Sequence, residues 1–108
     1  MSNDMHIVTF EQAAEEACKQ LAKTVIAKQK DYGPKNITQS VVKTELALAV
    51  RLTDKIARLV HLSETGVKPS NESIQDTAQD IMGYGLVLKM YLDGTFTLPM
   101  EDTIREAN

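Results

Sequence analysis

A single cysteine, Cys18, stands in the 108-residue chain, so no internal disulfide can form, and no second thiol is present to complete a metal knuckle. Set among helix formers, it is expected to be a buried small apolar side chain. A basic excess is also missing: 12 Lys and Arg face 15 Asp and Glu, a net charge of −3. That balance excludes a surface built to coat nucleic acid or to bind an anionic membrane. No window comes near the ~18 uninterrupted apolar residues of a transmembrane helix. The segment from Met1 to His6 has neither the basic start nor the apolar run of a signal peptide, so cytoplasmic placement is expected. Strand-like alternation, repeats and low-complexity tracts are absent as well.

What remains is ordinary in bulk, with 43% apolar and 25% charged residues, and the length suits one domain over 1–108. Helical signals divide it. Thr9-x-x-Gln12 can cap a helix, after which Phe10, Ala14, Ala17, Leu21 and Val25 recur at helical spacing and predict a core stripe over about 10–30. Most of that helix's charged residues, Lys28 among them, are expected to be solvated. Gly33 and Pro34 should end it, and 35–40 reads as a connector with room for one helical turn.

A second helix is expected from Ser40 or Thr44 to Thr65, with Leu48, Leu52, Ile56, Leu59 and Val60 on one side and Gly66 as its stop. Its early part, residues 45–50, is apolar on most faces, which predicts contact with more than one neighbour and a subunit interface. His61 is read as a structural histidine. The third helix is expected over about 71–93, capped by Ser70 or Asn71, with Ile74, Ala78, Ile81, Gly85, Leu88 and Leu92 as its core stripe and Asp93-Gly94 as its end. Close helix packing is the expected role of Gly85, whereas Gly83, beside the acidic face, could make room for a ligand. The ordered core should span about 9–94, with 95–108 as a tail. The sum is an all-α protein, a small antiparallel bundle of about three long helices, oligomeric through the second.

Two charged stripes interrupt this pattern. Glu72, Asp76 and Asp80 stand at i, i+4 and i+8, so a helix lines them up on one face. Like charges at that spacing cost an isolated helix about 0.2–0.5 kcal/mol per pair. Something outside the helix should balance them, either a divalent cation or the basic stripe of Arg51, Lys55 and Arg58 on the preceding helix.

In chain order, Lys30-Asp31-Tyr32-Gly33, then 51–59 (RLTDKIARL), then Glu72-Ser73-Ile74 with Asp76-Thr77 and 80–84 (DIMGY) resemble the successive blocks of the nucleotide-modification-associated domain family of phages and prophages. The resemblance spans about residues 14–92 and implies a phage or prophage protein that handles nucleotides. More distantly, the chain is similar to the all-α MazG and dimeric dUTPase pyrophosphohydrolases, whose carboxylates hold Mg²⁺ against a triphosphate. Those enzymes carry E-x-x-E followed by E-x-x-D, and this chain departs from that pattern.

Three readings follow. In the first, Glu72, Asp76 and Asp80 hold Mg²⁺ and serve catalysis on a nucleoside polyphosphate. Arg51, Lys55, Arg58 and Lys30 bind its phosphates, and Asp31, Tyr32 and Tyr84 receive the base. In the second, the same residues bind or sequester a nucleotide without turnover. In the third, the two stripes pair with each other in a helical module that acts through protein partners.

Overall fold

Thr9 starts the first helix in the way its sequence pattern predicts. In the computed structural model, which describes residues 6–66 and 73–107, its hydroxyl accepts from the Gln12 backbone N–H at 3.1 Å, while the Gln12 side chain accepts from the Thr9 N–H at 3.1 Å. This reciprocal cap satisfies donors that a helix start leaves orphaned, and α1 then runs Phe10–Tyr32. Gly33, at φ 70°, ends it and donates to Gln29 O at 2.8 Å. Pro34 opens the one-turn α2, Lys35–Thr38.

Helix α3 covers Thr44–Thr65 and stops at Gly66, whose left-handed backbone lets its N–H reach Leu62 O. Helix α4 covers Ile74–Leu92. Its cap is Ser73 rather than Ser70 or Asn71, which lie outside the described residues. The Ser73 hydroxyl accepts from Asp76 N at 3.0 Å and the Asp76 carboxylate accepts from Ser73 N at 3.1 Å. A short α5, Glu101–Ala107, follows. The described residues are thus all-α with no strand, and none of their helices is long and apolar enough to cross a membrane.

Helix α4 packs chiefly on α3 and more lightly on α1. The core is small: Ile37 of α2, Leu48 of α3 and Phe96 are buried together, with Tyr84, Val87, Leu88 and Tyr91 of α4 against them. Phe96, in the stretch expected as a tail, is only 5% exposed. A turn after α4 delivers it, held by Thr95 N donating to Met90 O at 2.8 Å and by Gln29 Nε2 of α1 donating to Phe96 O at 3.0 Å.

Several expected positions differ. On α4 the buried side chain is Thr77, whereas Ile74, Ala78, Gly85 and Leu92 of the expected stripe are exposed. Apolar residues surround α4 on most of its circumference beyond Ile81, so periodicity alone does not choose the face that meets α3. A Cβ on Gly85 would have nothing within 4 Å, so close packing does not explain that glycine. Cys18 is exposed, because α1 buries no residue at all. Ile56, Val60 and His61 of α3 are also exposed.

Candidate functional site

The face of α1 that carries Leu21 and Val25 continues, at the same helical spacing, into Lys28, Gln29 and Tyr32. Opposite it, α4 presents Gln79, Asp80, Gly83 and Tyr84, and between them lies an open cleft of about 250 Å³. Ile37, Val87 and Phe96 supply apolar wall, and Arg51 of α3 with Asn36 closes one side. Tight turn chemistry at Gly33 and Pro34 places Asn36 there. Arg51 Nη2 donates to Asn36 O at 3.1 Å, which steadies the guanidinium while most of its donors stay available.

Charge on this wall is unequal. Among the described residues, Lys28 and Arg51 contribute two cations, and Asp80 is the single carboxylate lining the cleft. The Asp80 oxygens are already engaged: Lys55 Nζ lies 2.9 Å from Oδ2 and Lys28 Nζ 3.9 Å from Oδ1. Among the described residues, one carboxylate thus stands beside two ammonium groups, and the lining carries more cations than carboxylates. Two tyrosines on the same cleft offer ring faces, and the amides of Gln29, Asn36 and Gln79 offer donors and acceptors.

Of the residues picked from sequence, Arg51, Asp80, Tyr32 and Tyr84 come together here, with Lys55 against Asp80. The others do not join them. Lys30 points to α5, 3.3 Å from Asp102. Asp31 is exposed, Arg58 is half-buried on α3, and neither lines the cleft. Asp76 is exposed and occupied in the α4 cap. Glu72 lies outside the described residues. Lys28, Gln29, Asn36 and Gln79 were not singled out. The signal for Lys28 was there, since it continues the Leu21 and Val25 stripe at i+7 and i+3.

Among the described residues no three His, Cys, Asp or Glu side chains converge as a metal site would require. Mg²⁺ takes oxygen ligands with near-octahedral geometry, commonly one or two carboxylates. With Asp80 held by two lysines and Asp76 by the helix cap, the donor set of the described residues does not fit that ion.

Gly83 lines the cleft. A Cβ there would first meet Val25 Cγ2, at 4.0 Å, so a larger residue is not excluded by packing and would stand in the gap between α1 and α4. Comparison with protein-family models, with curated proteins and with solved structures returns no match to this chain.

Proposed function

We propose that the protein binds a nucleotide in the cleft between α1 and α4, as a binding or sequestering protein, with no hydrolytic step. One observation carries this reading: Lys28 and Arg51 line a cleft in which, among the described residues, Asp80 is the only lining carboxylate and stands beside Lys55, while Tyr32 and Tyr84 line the same space. An anion is favoured by that balance, and Arg51 can grip phosphate oxygens with a planar fork. The tyrosines take the base by stacking, and the neighbouring amides read its edge.

Size agrees with a small ligand. At about 250 Å³ the cleft lies just under the ~300–1,000 Å³ of typical small-molecule sites, which suits a mononucleotide better than a larger molecule. The phage family that the sequence blocks resemble is in keeping with this role, exercised in the cytoplasm of a bacterial host.

The test is a thermal-shift screen against mononucleotides, cyclic and modified nucleotides, with and without Mg²⁺, followed by chromatography of each stabilising compound. A ligand specific for the folded state raises stability by about 2.7 kcal/mol at a hundredfold excess over its dissociation constant. The expected result is stabilisation by a nucleotide recovered intact, lost in Arg51→Ala and weakened in Lys28→Ala. Consumption of the ligand in the presence of Mg²⁺ would replace this reading with the hydrolase, and no shift with any nucleotide would end both.

A further inference from the structure

Resting on the nucleotide reading above, the charged groups of the cleft determine how many phosphates its ligand carries. Among the described residues the charged lining is Lys28, Arg51 and Asp80. Asp80 has a close cation from outside the lining, since Lys55 Nζ lies 2.9 Å from its Oδ2. Lys28 Nζ stands farther off, 3.9 Å from Oδ1, on a side chain that is 63% exposed. An ion pair so long and so exposed holds its lysine weakly, and the ammonium can turn to a ligand. Arg51 spends one Nη2 donor on Asn36 O at 3.1 Å and keeps the rest of its fork.

Two cations therefore meet the ligand, one as a planar fork and one as a point charge. A terminal phosphate monoester carries about −1.5 to −2 at neutral pH and offers three acceptor oxygens. The fork takes two of them and the ammonium the third, with the charges matched. A cyclic phosphodiester brings less charge and fewer free oxygens, which leaves one cation without its share.

Diphosphates and triphosphates err the other way. Each further phosphoryl group adds negative charge beside Asp80, and the described lining has no further cation to meet it. Polyphosphates are usually bound with Mg²⁺, whose coordination is shared between phosphate oxygens and one or two carboxylates. Here Asp80 stands between two lysines and Asp76 is used in the α4 cap, so neither is open to take that share. Length counts as well, because a triphosphate chain has to fit with its sugar and base in about 250 Å³.

We infer that the ligand is a nucleoside monophosphate, bound through its terminal phosphate monoester without a metal ion, and that Lys28 and Arg51 set this preference over cyclic and polyphosphate forms.

Isothermal titration calorimetry of the full chain at low ionic strength tests it. The probes are the nucleoside, its 5′-mono-, di- and triphosphate and its 3′,5′-cyclic monophosphate, for adenine, guanine, cytosine, uracil and thymine, each with Mg²⁺ and with EDTA. In the series of the base that binds best, the monophosphate should bind at least tenfold more tightly than the nucleoside, the cyclic form and the triphosphate. Mg²⁺ should not improve the triphosphate. Gln79→Lys adds a cation to the lining and should narrow the gap between mono- and triphosphate at least threefold, a change of selectivity that damage to the fold would not produce. Should that variant not fold, the series on the unaltered protein decides. A triphosphate or cyclic form bound as tightly as the monophosphate overturns this inference and leaves the nucleotide reading standing. Binding of no nucleotide in any series overturns both.

Discussion

Asp80 of α4 holds the ammonium of Lys55 of α3 at 2.9 Å, joining the two helices that pack most extensively in the fold. Both side chains are about three-quarters buried, at 26% and 24% exposure. The acidic and basic stripes therefore meet at this pair, directly beside the cleft, and the charge of the Asp80 carboxylate bears on both stability and ligand choice.

Asp80→Asn separates these effects by sign. Losing a partly buried pair should cost about 1–2 kcal/mol, between the ~0–1 of exposed pairs and the ~3–5 of fully buried ones. Thermal melts should show a fall of roughly 5–10 °C. Nucleotide affinity should rise, since a negative charge leaves the wall while Lys28 and Arg51 remain. Lower affinity measured by calorimetry would mean that the carboxylate is a ligand contact.

Gly83→Ala and Gly85→Ala form a matched pair. Each replaces glycine inside α4 and should gain about 1 kcal/mol of helix stability. A methyl at 85 meets open space, whereas one at 83 stands in the cleft. Both variants should melt at a higher temperature, and only Gly83→Ala should bind nucleotide more weakly in calorimetric titration.

The cap of α4 can be tested apart from the cleft. Ser73→Ala removes the hydroxyl that accepts from Asp76 N and should cost about 1 kcal/mol in urea unfolding. Asp76→Asn keeps an acceptor for Ser73 N, so its cost should be smaller, and nucleotide affinity should be unchanged. A loss of binding in Asp76→Asn would bring that carboxylate back into the site.

Phe96→Ala empties a core cluster in which, among the described residues, Ile37 and Leu48 are the other buried members. The expected loss is about 3–5 kcal/mol, a large share of the ~5–15 kcal/mol available to a domain. Urea unfolding should report it as a lower midpoint; the Gln29 bond itself goes to the backbone oxygen of residue 96, which the substitution keeps.

Helix boundaries were legible because local chemistry sets them. Thr9 with Gln12, Gly33, Gly66 and Asp93-Gly94 all act within one turn of where they stand, and the structure uses each as the spacing implies. Facing was less legible. On α4, Ile81, Met82, Leu86, Val87, Leu88, Met90, Tyr91 and Leu92 leave no single apolar stripe, so the choice of Thr77 as the buried position depends on where α3 lies. Half the cleft was visible as charge on α3 and α4. On α1 only Tyr32 was legible, and Lys28 was hidden, because it reads as an ordinary surface lysine until Asp80 is placed against it across 52 residues of chain.

The position of Phe96 also orders events in time. Its backbone contact with Gln29 spans 67 residues, and the turn that delivers it follows α4. During synthesis α1, α3 and α4 can all leave the ribosome before residue 96 does, with Ile37 and Leu48 still lacking the ring that closes over them. Core closure is then a late, long-range step whose loop entropy must be met before the contact contributes. Until it occurs, the apolar faces of the nascent helices are open to other chains, and this interval is when the protein is most prone to aggregate.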